Sequence, residues 1–120
     1  MTRRILVVDD DEDIREIARL ALETVGGWQV DTEPDGQAAL TRAASSPPYD
    51  LILFDVMMPG MDGPTAVRRI RADGCTTPIL FLTARPRDDL VDAGADGVLR
   101  KPFDPMTLAE EIRARLGWPA

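Results

Sequence analysis

Carboxylate, hydroxyl and amine side chains directly follow short apolar segments at four points of this 120-residue chain. Carboxylates that gather in one place repel one another and lose solvation, so such a cluster needs a shared cation or a bound proton. The residue types therefore suggest a cation site, provided that the fold brings the four points together. In chain order the groups are Asp9-Asp10-Asp11, Asp55, Thr83 and Arg100-Lys101-Pro102.

The composition limits the chemistry that these groups can perform. The chain has no histidine, which excludes a Ser-His-Asp mechanism, a His-ligated metal and a phosphohistidine within the chain. Ligation by oxygen alone suits Mg²⁺, Mn²⁺ or Ca²⁺, and Mg²⁺ typically uses one or two carboxylates with waters and phosphate oxygens. A carboxylate can also be a nucleophile that carries an acyl phosphate. We expect the lone Asp55 to be that nucleophile and the Asp9-Asp10 pair to hold metal.

The segments before these groups predict strands. Residues 5–8, 51–54 and 79–82 are uniformly apolar, which is typical of strands buried on both faces of a parallel sheet. Residues 28–32 alternate between apolar and polar side chains, which predicts an edge strand. Val98-Leu99 predicts a shorter fifth strand.

Helical patterns fill the gaps between the strands. The first predicted helix has one apolar stripe and ends at Gly26-Gly27. The second is the alanine-rich segment 37–44, and residues 88–93 predict a short helix with a weaker pattern. Pro64 suits the first turn of a helix that stops near Gly74, and Asp104-Pro105 predicts the N-cap and first position of the last helix. The predicted core positions of the first and last helices are Ile14, Ile17, Ala18, Ala21 and Val25, and Leu108, Ile112 and Leu116.

Five alternating β and α elements predict an α/β fold. Right-handed crossovers give a parallel sheet with helices on both faces, and the carboxyl ends of its strands share one edge. The four groups should therefore meet there. Any one of them alone has a simpler explanation, because Asp commonly caps the helix that follows a strand. Asp11, Glu12 and Asp13, for example, suit the first turn of a helix.

The bulk properties restrict the class of protein. We expect one domain, residues 1–120, in a cytoplasmic setting, because the single Cys75 allows no internal disulfide. The net charge of −7 argues against nucleic-acid binding through this domain. The apolar run at residues 5–8 is too short for a signal sequence or membrane span, so we expect no membrane association.

Five segments, in this order and spacing, resemble the response-regulator receiver domains of two-component systems, of the chemotaxis-regulator type. The resemblance runs from Arg4 to Leu116, and the combination of segments is much more specific than any one of them. The segments are Ile5-Leu6-Val7-Val8-Asp9-Asp10-Asp11, Leu53-Phe54-Asp55-Val56-Met57-Met58-Pro59-Gly60-Met61-Asp62-Gly63, Leu82-Thr83-Ala84, Gly94-Ala95-Asp96-Gly97 and Lys101-Pro102-Phe103.

The resemblance implies a doubly wound (βα)5 flavodoxin-like fold with sheet order 2-1-3-4-5. It implies a signalling switch, not an enzyme with a separate substrate, that receives its phosphoryl group from a histidine kinase or histidine phosphotransfer protein and acts on an unidentified downstream target. Mg²⁺ is the implied cofactor, with Mn²⁺ as a substitute. By this resemblance Asp55 is the phosphoacceptor, Lys101 contacts the phosphoryl group and Thr83 provides the switch hydroxyl. The implied metal ligands are the Asp10 carboxylate directly, Asp9 through water and the backbone carbonyl of Met57. The resemblance also implies a cis peptide bond at Lys101-Pro102.

Two departures from the family pattern stand out. Val98 occupies a position where the family commonly has Tyr or Phe, which leaves the coupling of that ring to Thr83 in doubt. The stretch from Arg85 to Ala93 is shorter than usual by about one helical turn. Since Pro86 also disfavours helix at Arg85, we expect a shortened fourth helix. We further expect that neither Met57 nor Arg85 activates water, so that phosphorylated Asp55 is not unusually short-lived.

Two other functions fit parts of the pattern. An Asp-nucleophile phosphohydrolase of the haloacid-dehalogenase type also uses Asp, Mg²⁺, Thr and Lys, but its nucleophile follows the first strand. Asp9-Asp10-Asp11 satisfies that pattern, whereas Asp55 and Lys101-Pro102-Phe103 do not fit it. The second is a pseudo-receiver, a binding module that is never phosphorylated. The complete set of site residues argues against it, while Val98 and the short fourth helix favour it.

Overall fold

The computed structural model of the chain describes residues 2–45, 47–85 and 89–119, in which strands and helices alternate. Pro86, Arg87 and Asp88, part of the expected short-helix region, lie outside the described residues. The strands are β1 (Arg4–Val8), β2 (Gln29–Glu33), β3 (Leu51–Asp55), β4 (Ile79–Thr83) and β5 (Gly97–Arg100). The helices are α1 (Glu12–Thr24), α2 (Gly36–Ala43), α3 (Gly63–Ala72), α4 (Asp89–Asp92) and α5 (Leu108–Leu116).

The strands form one parallel sheet in the order β2-β1-β3-β4-β5, which confirms the predicted fold class. β3 lies at the centre, with Val8 opposite Phe54 on one side and Phe81 opposite Phe54 on the other. β3 and β4 are buried along their whole length, as uniformly apolar strands should be. β2 is half-buried at the edge of the sheet and begins at Gln29, one residue later than predicted.

The two faces of the sheet carry separate hydrophobic cores because successive strand side chains point in opposite directions. On one face α1 and α5 pack against β1, β3 and β4, with Leu22 and Ile112 fully buried. On the other face α2, α3 and α4 pack against the same strands, with Ile70 and Leu90 buried. Both cores hold the central strands, and therefore their carboxyl ends, in fixed positions.

The predicted core stripe of α1 is partly wrong. Ile17 and Val25 are 42% and 39% exposed, whereas the helix buries Ala18, Ala21 and Leu22. These three residues follow the spacing of one helical face, and the two small alanines let the helix lie close to the sheet. The face is therefore rotated from the predicted one and includes Leu22, which the stripe omitted.

The ends of the last two helices also differ in detail. α5 begins at Leu108, not at Pro105. The carboxylate of Asp104 accepts a hydrogen bond from the Met106 amide at 2.8 Å, and its carbonyl accepts one from the Leu108 amide at 3.0 Å. Asp104 thus stabilises a turn that precedes the helix instead of capping the helix itself. Among the described residues α4 spans four, Asp89–Asp92, which agrees with the expected short fourth helix.

Tight loops connect the strands to the helices at the carboxyl edge. The Asp11 carboxylate caps α1 by accepting from the amides of Asp13 and Ile14, and the Asp62 carboxylate caps α3 by accepting from Thr65. In the described part of the chain, no helix has both the length and the apolar character needed to cross a membrane.

Candidate metal centre at the carboxyl edge of the sheet

Three polar side chains are buried at the carboxyl edge of the sheet. Within the described residues, Asp9, Asp55 and Thr83 are the polar or charged residues that the fold buries, with exposed fractions of 2%, 8% and 6%. Asp9 directly follows β1, Asp55 ends β3 and Thr83 ends β4. Because β1, β3 and β4 are neighbours in the sheet, three residues that are far apart in sequence reach one edge.

Carboxylates from two strand ends form one acidic cluster. Asp9, Asp10 and Asp55 each offer an oxygen, and these oxygens lie within 4.8 Å of one another. The Lys101 Nζ lies 2.8 Å from Asp9 Oδ2 and 3.1 Å from Asp55 Oδ1. The predicted convergence of the acidic pair, the lone Asp55 and the amine is therefore confirmed.

The donor set of this cluster fits a hard divalent cation. The three carboxyl groups face the Lys101 ammonium, and the Arg15 guanidinium contacts the adjoining backbone, so acidic groups outnumber basic ones at the cluster. All the side-chain donors are oxygens, and Asp10 is exposed, so an ion with bound water can approach from solvent. The cluster could hold a metal ion.

The environment of Asp55 makes its carboxyl group easier to protonate than an exposed one. Burial and the charge of Asp9 raise the pKa of Asp55 to about 6, although Lys101 acts in the opposite direction. For Lys101, burial lowers the pKa, but its hydrogen bond to Asp9 and the charges of Asp9 and Asp55 outweigh burial and raise the pKa overall. Lys101 therefore stays charged, whereas Asp55 takes up a proton readily when no cation is bound.

Two contacts that the sequence analysis missed fix the orientation of Asp9. The backbone amide of Asp11 donates to Asp9 Oδ1 at 2.9 Å, and Arg15 Nη1 donates to the Asp9 carbonyl at 2.8 Å. Arg15 is the first basic residue after five consecutive acidic residues, 9–13, and this position was a usable signal. Its guanidinium places a positive charge beside the acidic loop and holds the loop in position.

Gly63 is a second residue whose role the sequence analysis did not identify. A Cβ atom at this position would lie 2.3 Å from the carbonyl oxygen of Asp55, so a side chain cannot fit without a shift of the backbone. The Gly63 amide also donates to the Val56 carbonyl at 2.9 Å. The loop between β3 and α3 therefore folds back closely over the end of β3.

A cavity of about 510 Å³ opens beside the acidic cluster. Its size admits a phosphoryl group, and Lys101 and Asp55 lie in its wall. The predicted site residues Met57 and Thr83 also lie in its wall, and the Met57 side chain is 73% exposed. The role of the Met57 carbonyl as a metal ligand stays a prediction. The cavity is lined by Asp55, Val56, Met57, Thr83, Ala84, Arg85 and Lys101.

The Thr83 hydroxyl bonds to the loop that follows β4. Its Oγ1 accepts a hydrogen bond from the Arg85 amide at 3.1 Å. Val98 lies opposite Phe81 in β5 and is half-buried against the core that contains Phe54 and Phe81. An aliphatic side chain therefore occupies the position at which the family commonly has an aromatic ring.

The backbone of Lys101, which directly follows β5, is hydrogen-bonded to the end of β4. The Lys101 amide donates to the Thr83 carbonyl at 2.9 Å, and the Lys101-Pro102 peptide bond is cis, as the resemblance implied. The amine that contacts the acidic cluster is thus carried by a segment hydrogen-bonded to the end of β4.

Comparison with known sequences identifies one family. The sequence model described as "Response regulator receiver domain" matches residues 5–113. "Response regulator MprA" of Mycolicibacterium vanbaalenii is 45% identical over 120 residues, which cover 97% of this chain and 51% of that protein. "Transcriptional regulatory protein CseB" of Streptomyces coelicolor is 45% identical over 116 residues, covering 93% and 48% respectively. The chain spans about half the length of the curated relatives it matches.

Comparison with solved structures agrees with the sequence result. The chemotaxis protein CheY4 of Vibrio cholerae superposes with a TM-score of 0.86 at 34% identity. The superposition covers 95% of this chain and 98% of that chain. Almost the whole of that chain therefore corresponds to the fold described above.

Proposed function

Because the chain belongs to the response regulator receiver domain family, we propose that it accepts one phosphoryl group on Asp55 from a phosphohistidine donor, with a divalent cation bound. The observation that carries the proposal is the double contact of the Lys101 ammonium with Asp9 and Asp55, with the Asp10 carboxylate in the same cluster. These groups supply a nucleophile and a positive charge in the wall of one cavity, with a candidate cation site directly beside it. We also propose that residues 1–120 act as a single receiver domain.

The phosphoryl transfer is a substitution at phosphorus. An Asp55 carboxylate oxygen attacks phosphorus, the P–N bond of the donor breaks, and the electron pair stays on the imidazole nitrogen. A cation bound at the acidic cluster would neutralise one phosphoryl oxygen. Lys101, 3.1 Å from Asp55 Oδ1, is placed to pair with a second oxygen. The Thr83 hydroxyl, in the same cavity wall, is the donor proposed for the third.

We assign the cation as Mg²⁺, for which Mn²⁺ can substitute. The supporting observation is a donor set made only of oxygens in which Asp10 and Asp55 are the direct side-chain ligands. Asp9 has both carboxylate oxygens engaged, one by Lys101 and one by the Asp11 amide, which suits a contact with the metal through water. The Met57 carbonyl is the proposed backbone ligand.

The proposed switch acts through the Thr83 hydroxyl. A phosphoryl group on Asp55 would compete with the Arg85 amide for this hydroxyl, and the loop after β4 would then rearrange. The half-buried Val98 lies beside β4 but offers no hydroxyl or ring for this rearrangement. The switch therefore depends on the contact between Thr83 and Arg85.

The proposed partners follow from the same chemistry. A histidine kinase or histidine phosphotransfer protein supplies the phosphoryl group, because the chain itself has no histidine. The net charge of −7 disfavours nucleic-acid binding through this domain, so its output is proposed to pass through protein contacts.

Intact-mass measurement tests the proposal. The protein is incubated with Mg²⁺ and a small phosphodonor, and with a phosphorylated histidine kinase in a parallel reaction. The wild type should gain the mass of one phosphoryl group, which hydroxylamine releases as it does from acyl phosphates. Asp55→Asn and addition of EDTA should both abolish the gain. Asp73→Asn, an exposed carboxylate after α3, is the matched control and should behave like the wild type.

Other results would support the competing functions. A wild type that gains no phosphoryl group from any donor would identify a pseudo-receiver. Steady hydrolysis of a phosphate ester that Asp9→Asn abolishes and Asp55→Asn does not would identify a phosphohydrolase.

A further inference from the structure

Both tryptophans of the chain lie together at the amino edge of the sheet, the edge opposite to Asp55. Trp28 precedes β2, and Trp118 follows α5, which runs back to this edge. Their ring centroids are 5.4 Å apart, and the rings are nearly perpendicular at 88°. Trp28 is 8% exposed, and the half-buried Trp118 packs against its core, so the pair forms an aromatic surface at this edge.

Each indole ring carries a stacked guanidinium group. The Arg3 Cζ lies 3.9 Å from the Trp118 ring centroid, and the Arg113 Cζ lies 5.1 Å from the Trp28 ring centroid. Stacking covers the face of a guanidinium but leaves the N–H donors at its edge available. Arg113 uses one of them, from Nη2 to the Gly26 carbonyl at 3.4 Å. Both guanidinium groups therefore keep N–H donors that can bind a ligand.

Within the part of the chain that the structure describes, neither guanidinium forms an ion pair with a carboxylate. In residues 2–45, 47–85 and 89–119, Arg4, Arg19, Arg42 and Arg71 all form ion pairs, whereas Arg3 and Arg113 form none. Other described arginines, such as Arg68 and Arg100, also form no ion pair, so what distinguishes Arg3 and Arg113 is that both lie over the same pair of tryptophan rings.

The two arginines line one cavity of about 390 Å³. This volume lies within the range of about 300–1,000 Å³ that is typical of small-molecule sites. Among the described residues, the side chains that line this cavity include no acidic one, and Thr2 adds a hydroxyl group. The lining residues are Thr2, Arg3, Gly26, Gly27, Trp28, Arg113 and Pro119.

We propose that this cavity binds the phosphate group of a small molecule. Two guanidinium groups match the charge of a phosphate dianion, and their planar forks can each donate to two of its oxygens. The Thr2 hydroxyl supplies a further donor. A carboxylate, with one charge and two oxygens, would use only half of this donor set. The sheet separates the cavity from Asp55, so the proposal does not depend on phosphoryl transfer.

Nuclear magnetic resonance tests the proposal directly. The chain has two tryptophans, so its two indole N–H signals both report on this cavity. Inorganic phosphate is titrated into the magnesium-free protein, with sodium chloride of equal ionic strength as the reference. Phosphate should shift the indole signals in a saturable way, and chloride should not. A parallel titration with glycerol 3-phosphate distinguishes a site for phosphomonoesters, which should bind more tightly, from a site for free phosphate.

Variants assign the binding to the arginines. Arg3→Gln and Arg113→Gln should each weaken phosphate binding roughly tenfold, as expected for loss of a charge-assisted hydrogen bond. Arg69→Gln, an exposed arginine on α3, is the control and should bind like the wild type. Unchanged backbone spectra away from the cavity show that the variants are folded.

Three results would overturn the proposal. The first is a shift that increases linearly with phosphate or equals that caused by chloride. The second is equal affinity in the wild type and in both arginine variants. The third is a shift that requires Mg²⁺ and disappears in Asp55→Asn, because that result would place the bound phosphate at the opposite edge.

Discussion

In the metal-free protein, Asp55→Asn should increase the free energy of unfolding at neutral pH. Folding raises the pKa of Asp55 from 3.8 to about 6, mainly through burial and the nearby charge of Asp9. A carboxyl group whose folded pKa is raised binds its proton more tightly in the folded state. Wild-type stability is therefore greatest below the unfolded pKa and falls as pH rises through the folded pKa, and the neutral amide avoids this loss.

The pKa shift sets the size of the effect. At 1.36 kcal/mol per pKa unit, the shift corresponds to roughly 3 kcal/mol if the group is fully shielded. The Asp55 side chain is 10% exposed beside an open cavity, so solvent screening reduces this figure to ~1–2 kcal/mol. The shift already includes the opposing effect of Lys101. The gain should be close to zero near about pH 4 and complete by about pH 7.

Urea denaturation at a series of pH values, with EDTA present, measures this difference. Asp73→Asn removes an exposed carboxylate and should leave the difference from wild type independent of pH. Saturating Mg²⁺ should reverse the order, because the cation stabilises ionised Asp55 and binds the variant more weakly. If Asp55→Asn is less stable than the wild type at neutral pH without metal, or if the difference does not grow with pH, the electrostatic account of the site is wrong.

Other substitutions test separate contacts. Asp10→Asn should weaken Mg²⁺ binding at least about tenfold by calorimetry while leaving the metal-free protein folded, since Asp10 is exposed. Lys101→Gln should raise the pKa of Asp55 further, measurable by carboxyl NMR, because it removes the charge and the hydrogen bond that lower this pKa, and it should slow phosphoryl acceptance. Gly63→Ala should destabilise the protein by about 1–3 kcal/mol in urea denaturation, because its Cβ would meet the Asp55 carbonyl. Leu22→Ala should cost about 2–5 kcal/mol, whereas Ile17→Ala should cost much less, and equal losses would contradict the assigned face of α1.

The sequence predicted the architecture because its strongest signals coincide with the central strands. The apolar runs before Asp9, Asp55 and Thr83 can be buried only between two helical layers, and the structure places them there. The sheet order came from the family resemblance, since apolar runs alone do not determine which strands are neighbours. The convergence of Asp9, Asp55 and Lys101 then followed from the shared carboxyl edge of a parallel sheet.

The errors occurred where local signals are ambiguous. On α1, both Ile17 and Leu22 are apolar, and only the packing against the sheet decides which of them is buried. The pair Asp104-Pro105 suits the start of a helix and a turn equally well, and in this structure it forms a turn. The contact of Arg15 with the Asp9 carbonyl is a tertiary detail that residue type and spacing do not determine.

The hydrogen bond from the Lys101 amide to the Thr83 carbonyl restricts how the pocket can respond to its ligands. It locks the main chains that carry the amine and the hydroxyl at a fixed separation, so neither can retreat by sliding its strand. At these two positions, an incoming ion or phosphoryl group must be accommodated by rotation about side-chain bonds, chiefly in the long lysine stem, or by the loop that follows β4. The chemistry at this pocket therefore requires no sliding of one strand past its neighbour.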